Sequence, residues 1–368
     1  MKNQKKIAII HDSLTEFGGA EQVLNQLLDI FPEADLYTSL ATSDTLTKIK
    51  LGKNRLVKYS RLSNCKQITK NPSFFKPYFY HFYWPSLKLD QYDLVISSSH
   101  SFCANWVNVK NTHISYIHTP PRFLYQGINA QSWLKEKPWK WIFAPYFTIL
   151  KKIDYRKIEK IDLLLTNSKN VKTRINDCYK RSAKIIYPPI NLLDQTTDLV
   201  KDRQKKYYLY FSRLVEQKGI KLAIETFRKL QKPLIVVGTS PKIEKFKKKS
   251  PKNVKFLGFV EEKKLKKIIQ KARALIYPAI DEDFGIAPIE VLSLGVPVVA
   301  HYSGGPKETL NDSCAVFFKE YSSANLIKAI KKIDGREIKA EDCKKQAKKF
   351  IKHDFKKEFL DSIKSYVN

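Results

Sequence analysis

The chain has 368 residues, enough for two domains of ordinary size, and its 43% hydrophobic content is normal for a polypeptide that buries real cores. With 67 Lys and Arg against 36 Asp and Glu, the formal net charge is +31. That charge suits nucleic acid, an anionic membrane surface, or simply lysine-covered solvated faces. Five scattered cysteines (Cys65, Cys103, Cys178, Cys314, Cys343), with no C-x-x-C pair or Cys/His cluster, speak against a zinc site and a disulfide framework and for a reducing, cytoplasmic setting.

The basic head before Ile7 leads into an apolar run too short for a signal peptide, and no stretch approaches the roughly 18 apolar residues of a membrane span. A soluble or peripheral protein is expected. Lys6 to His11 reads as a first strand. The loop Asp12 to Phe17 closes on Gly18-Gly19, and Ala20 to Ile30 has helical spacing through Val23, Leu24, Leu27 and Leu28. A strand, a glycine pair and a helix start make a turn that lets backbone approach a phosphate. By itself this is weak evidence, and it lacks the third glycine of the dinucleotide fingerprint.

Ala34 to Leu40 reads as a second strand. Lys50 to Leu89 reads as irregular, dense in aromatics and broken by Pro72, Pro77 and Pro85. Asp93 to Ser97 (in YDLVISSSH) and His113 to Thr119 (in YIHTPPRFLY) are further strands. His118 sits where the latter ends at a proline turn, and an isolated histidine there would ordinarily satisfy buried backbone. In the next stretch Trp133, Trp139, Trp141, Phe143, Tyr146 and Phe147 alternate with lysines around Pro138 and Pro145. That mixture suits a membrane-interface surface, and equally the packed face of a long helix carrying Ile149, Leu150, Ile153 and Ile158. Ile161 to Thr166 is a strand, with Ser168 placed to cap the following helix. Lys184 to Tyr187 ends at Pro188-Pro189, which closes the first domain. Polar Asn191 to Lys206 reads as a linker.

Tyr207 to Phe211 opens the second domain. Arg213 and Lys218 put two cations on the loop after it, either solvated surface charges or partners for a diphosphate. Leu234 to Gly238, Val254 to Phe259 and Leu275 to Tyr277 continue the sheet. The acidic triplet Asp281-Glu282-Asp283 follows, then Phe284-Gly285-Ile286-Ala287-Pro288 leads into a helix, and Val296 to Ala300 is the next strand. This is a βαβ unit of a parallel sheet, where ligands gather at strand carboxyl ends beside helix N-termini. Free N–H groups near Phe284 to Ala287 suit an anion, and Glu282 and Glu290 suit sugar hydroxyls. An acidic helix cap is the plain alternative. Ser303-Gly304-Gly305 forms a second glycine turn, and from Ser322 onward the chain reads as helical and lysine-rich.

Glu282, seven residues and Glu290, with Phe-Gly between them, resembles the site of retaining glycosyltransferases of family 4. YDLVISSSH and YIHTPPRFLY extend the likeness to the family's bacterial mannosyltransferases of O-antigen and polysaccharide assembly. The resemblance implies an α/β GT-B fold, two Rossmann-like domains with parallel sheets facing an interdomain cleft. It implies an acceptor-binding domain over 1–189, a nucleotide-sugar-binding domain over 190–350, and a crossover helix over 351–368 packing on the first domain. Phe355 to Tyr366 is the candidate for that helix.

By the same resemblance, His118 and Glu282 hold the donor sugar near the reacting centre, and Glu290 takes the ribose hydroxyls. Gly18 and Gly19 approach the donor phosphate, Arg213 and Lys218 grip the diphosphate, and Phe284, Gly285 and Ile286 line the donor site. The expected reaction is transfer of a hexose, mannose first, from GDP-mannose or another nucleotide diphosphate sugar to a lipid-linked saccharide or lipopolysaccharide acceptor, with retention. No cofactor or metal is expected, although Asp281-Glu282-Asp283 has the Asp-x-Asp form of metal-dependent transferases. The expected location is the cytoplasm, peripheral on the inner face of the membrane, against anionic lipid. Alternatives are transfer of another hexose or N-acetylhexosamine from a UDP-sugar, a phosphorylase or epimerase of the same fold, and a basic nucleic-acid-binding protein. No nucleic-acid module is recognised to support the last of these.

Overall fold

The structure is a computed structural model and describes residues 5–52, 55–70, 75–101, 103–125, 140–190, 206–240, 243–351 and 353–367. The chain forms two compact units, Met1–Pro189 with Asp354–Asn368, and Ile190–His353.

In the first unit seven strands form one sheet: β1 (Ile7–His11), β2 (Asp35–Thr38), β3 (Val57–Tyr59), β4 (Leu94–Ser99), β5 (Thr112–Ile117), β6 (Leu163–Thr166) and β7 (Lys184–Ile185). They are all parallel, in the order β3-β2-β1-β4-β5-β6-β7. Parallel strands covered on both faces need near-continuous apolar runs; β1 has one, and β4 is apolar over Leu94–Ile96 before its three serines. On one face Ile9, Leu36, Ile96, Ile114 and Leu165 pack with Val23, Leu24 and Leu27 of the helix Gly19–Ile30. The C-terminal helix Phe355–Val367 joins this core through Phe355, Phe359 and Ile363, with the Phe359 ring 6.2 Å from Phe31. The other face buries Ala8, Ile10, Tyr37 and Val95 under Phe79, Tyr80 and Trp84.

Those aromatics come from the stretch read as irregular, which instead holds the edge strand β3 and helical turns from Lys76 to Ser86. Pro77 and Pro85 sit at the starts of such turns, where a missing N–H costs nothing. Pro145 likewise does not end its helix, which runs Lys140–Glu159. Pro72, Trp133, Pro138, Trp139 and the linker stretch 191–205 lie outside the described residues, as do the side chains of Trp141 and Phe143.

In the second unit six parallel strands, β8 (Tyr207–Phe211), β9 (Leu234–Val237), β10 (Val254–Gly258), β11 (Ala272–Tyr277), β12 (Val298–His301) and β13 (Ala315–Phe318), follow the order β10-β9-β8-β11-β12-β13. The amphipathic helices Ile220–Leu230 and Ser323–Asp334 cover one face through Ile220, Phe227, Leu326 and Ile330. β13, at the edge of this sheet, went unread in the sequence.

Each sheet reverses direction once, between β1 and β4 in the first unit and between β8 and β11 in the second. Such switch points open a crevice at the strand carboxyl ends where ligands of doubly wound sheets bind.

Candidate active site

At the first switch point the register sets His11, the last residue of β1, directly beside Ser98 of β4. The Ser98 hydroxyl lies 3.0 Å from His11 Nδ1 and 2.8 Å from His118 Nε2. His11 Nε2 is 3.4 Å from Glu21 Oε1, and the other oxygen of Glu21 accepts the Gly18 N–H at 2.7 Å. Glu21 accepts only, so it faces an N–H of His11. The Ser98 hydroxyl, which can donate once and accept twice, thus bridges the His11 and His118 rings. His118 is pushed down to about 3 by burial, reinforced by His100 and His11. It is therefore neutral across the physiological range.

The residue after His11, Asp12, is fully buried. Its carboxylate accepts N–H groups from His100 at 2.9 Å, Ser101 at 2.5 Å and Ala104 at 2.7 Å. These bonds fold the loop after β4 over the end of β1 and bring His100 Nδ1 to 3.3 Å from Asp12. Burial lowers the His100 pKa, and Asp12 opposes that shift. Burial would raise Glu21, but its bond to His11 and the nearby imidazoles outweigh burial and hold it below the usual range.

Two residues singled out from the sequence, Gly18 and His118, are thus joined by side chains that were not: Glu21, His11 and Ser98. The N–H of Gly18, the N-cap of the first helix, donates to the Glu21 side chain reaching back from that helix. Gly19 begins the helix.

At the second switch point Arg213 lies just beyond β8, and Lys218 closes a 3-10 turn, Glu216–Lys218. Gly219 follows in the left-handed region (φ 76°), and a Cβ there would collide with the carbonyl of Pro278. Only glycine lets this loop pass so close to the end of β11. The crossing brings Lys218 Nζ onto Glu282 Oε2, and the Tyr277 hydroxyl donates to the same oxygen at 3.0 Å. The pair is largely withdrawn from water, with the Lys218 side chain 18% and Glu282 14% exposed. Phe284 is buried against the Phe350 ring, and Gly285 (φ 93°) caps the helix Ile286–Ser293. Glu290 lies one turn into that helix, and its pKa is raised to about 7 by burial, then by Glu262.

The acidic loop is pinned by the glycine turn after β12. Gly305 N–H donates to the Glu282 carbonyl at 2.7 Å, and a Cβ on Gly304 would strike the Glu282 backbone. Lys218, Glu282, Phe284, Gly285, Ile286 and Glu290 therefore follow one another around the β8 and β11 ends, with Arg213 at the start of the same β8 loop. Among the described residues, no group of three or more His, Cys, Asp or Glu is arranged to hold a metal ion.

Sequence reasoning did not single out His11, Asp12, Glu21, Ser98 and His100, the other members of the polar network at the first switch point. The available signal was polar side chains at the carboxyl ends of buried strands, a position where apolar residues would be expected unless a ligand or a network used them.

A model of the family described as glycosyl transferases group 1 matches residues 194–350. The α-1,3/1,6-mannosyltransferase ALG2 of Kluyveromyces lactis is 25% identical over 279 residues, covering 61% of this chain and 53% of that protein. The O-antigen chain mannosyltransferase RfbU of Salmonella typhimurium is 28% identical over 170 residues, 44% of this chain and 47% of its own. The chain thus spans about half the length of these two relatives. Among solved structures, Anabaena Alr3699/HepE in complex with UDP-glucose superposes with a TM-score of 0.69 at 16% identity, covering 98% of this chain and all of the other. Likeness of that extent at that identity establishes a shared fold. Residues 194–350 thus match the glycosyl transferases group 1 family, and the chain that carries them has the GT-B fold.

Proposed function

We propose that this protein is a retaining hexosyltransferase, taking mannose first among donors from a nucleotide diphosphate sugar and delivering it to a lipid-linked glycan or lipopolysaccharide acceptor. The observation that carries the reading is the Lys218–Glu282 pair at the β8–β11 switch point, immediately before the Phe284-Gly285 entry to a helix. A diphosphate arriving at this loop competes with Glu282 for Lys218. Lys218, with Arg213, then offsets charge growing on the departing nucleoside diphosphate, and fixed charge of this kind is the main source of rate acceleration in such transfers. Glu282, released from Lys218, accepts hydrogen bonds from sugar hydroxyls. The dipole of the helix Ile286–Ser293 adds to the same anion stabilisation. Glu290 is assigned to the ribose hydroxyls, Phe284, Gly285 and Ile286 to the donor-site wall, and Gly18 and Gly19 to the donor phosphate. His118, uncharged, holds the sugar as a neutral hydrogen-bonding group. The acceptor proton leaves with the phosphate oxygen in front-face attack, and no metal takes part.

The mannosyltransferase relatives favour GDP-mannose, and the UDP-glucose complex of the structural neighbour keeps a UDP-sugar as the second reading. The first unit supports an anionic membrane surface as partner. Phe75, Tyr78 and Phe82 are exposed on the turns whose inner residues fill the core, with Phe82 66% exposed. Ile149, 56% exposed, stands on the neighbouring helix, which His81 reaches through Tyr146 at 3.0 Å. No helix among the described residues is long and apolar enough to cross a membrane.

Thermal denaturation with GDP-mannose, UDP-glucose and UDP-N-acetylglucosamine tests the reading, because a ligand bound only by the folded state raises the melting point. One of the three should stabilise and be turned over with retained anomeric configuration. No stabilisation by any of them, together with a salt-sensitive gel shift of RNA or DNA, would sink the reading in favour of nucleic acid.

A further inference from the structure

The backbone of the acidic loop is held from β12 by a hydrogen-bond chain whose polarity is forced. His301 Nε2 is 2.9 Å from the Lys319 carbonyl, which can only accept, so this nitrogen carries the proton. Burial lowers the His301 pKa, so the ring is neutral and Nδ1 is a lone pair. Ser303 Oγ, 2.7 Å away, must donate to it, and its remaining lone pair accepts the Asp281 N–H at 2.9 Å. The imidazole cannot swing away, because Phe318 and Tyr321 flank it with ring centroids at 5.2 and 5.3 Å. Asp281 needs this anchor, since it is a non-glycine residue in the left-handed region (φ 51°), and the next residue is Glu282.

We propose that His301 and Ser303 are positioning residues: they fix the Asp281 backbone so that the Glu282 carboxylate meets Lys218 and, on turnover, the donor sugar. The catalytic half of this statement rests on the function proposed above; the anchoring half does not.

Hydrogen exchange of the full chain, read by mass spectrometry on peptides covering 279–286, reports the anchor directly. Ser303→Ala should speed exchange at Asp281 about ten-fold or more, and Ser303→Thr should restore it. In steady-state assays with GDP-mannose and UDP-glucose, Ser303→Ala should lower kcat about ten-fold to a hundred-fold through misplacement of Glu282. Affinity for GDP or UDP, which lack the transferred hexose, should change less than about two-fold. If Ser303→Ala unfolds, Ser303→Val against Ser303→Thr makes the same comparison, because the two differ only in the hydroxyl. Unchanged exchange at Asp281, or faster exchange with unchanged kcat, overturns the proposal. Failure of both nucleotide sugars to react while exchange responds as expected overturns the proposed function and leaves the anchor standing.

Discussion

Glu282 sits where one carboxylate oxygen receives both an ammonium and a phenol, so its removal is felt twice. Glu282→Gln keeps the shape and removes the charge; kcat should fall on the order of a hundred-fold in a product-release assay. Lys218→Ala should cost a similar factor and also weaken nucleoside diphosphate binding, measurable by calorimetry. Because lysine and arginine supply the countercharge, activity should survive EDTA; loss in the chelator with recovery on adding manganese would point to a metal on the acidic triplet instead.

Glu290 gives a pH signature. Its carboxyl titrates near 7 in the folded chain against an ordinary 4.5, so the folded state holds more protons than the unfolded one between those values. Stability should therefore fall as pH rises from about 4.5 to about 7. Glu290→Gln should gain on the parent chain across that range, read as urea midpoints at pH 5 and pH 8. Equal gaps at both pH values would contradict a raised Glu290 pKa. Glu282, Glu290 and Lys218 could be singled out because they lie in short loops or in the first turns of the helix that follows, where spacing is visible in one dimension. His11, Ser98 and Glu21 were not, because β1 and β4 are far apart in the chain and meet only through strand register.

Among elements, the C-terminal helix Phe355–Val367 is the one most exposed to a single change. Phe359 is fully buried, stacked on Phe355 at 5.8 Å and set edge-on to Phe31. Phe359→Ala should remove about 3–5 kcal/mol from the first unit, seen as a lowered denaturant midpoint by tryptophan fluorescence. The chain from Ser322 onward read as helical, and the family resemblance pointed to Phe355 to Tyr366 as its last helix. The stretch from Lys76 to Ser86 did not read as helical, because its prolines suggested breaks. The prolines instead start turns; Phe79, Tyr80 and Trp84 then pack into the core while Tyr78 and Phe82 face solvent.

For the whole molecule, the net charge of +31 and the exposed aromatics of the first unit predict binding to anionic vesicles at low salt. Phe82→Ser, at a side chain that packs against no core, should reduce co-sedimentation several-fold without moving the melting point. A salt titration should show binding fading as the Debye length falls from about 10 Å at 0.1 M towards about 3 Å at 1 M. Vesicle binding that ignores both salt and Phe82→Ser would remove the membrane surface from the list of partners.

The strands of both sheets other than β3 and β13, the loop with Arg213 and Lys218, and the run from Glu282 to Glu290 are properties of the sequence itself. Hydrophobic runs and glycine turns act over a few residues, so their meaning survives without knowledge of the fold. Three matters needed the tertiary structure: that Lys218 is already paired with Glu282, that Gly18 is tied to His118 through three buried side chains, and that His301 holds the acidic loop from a neighbouring strand. Each depends on strand order and register, which arise from packing of the whole sheet and leave no mark in any short window of sequence.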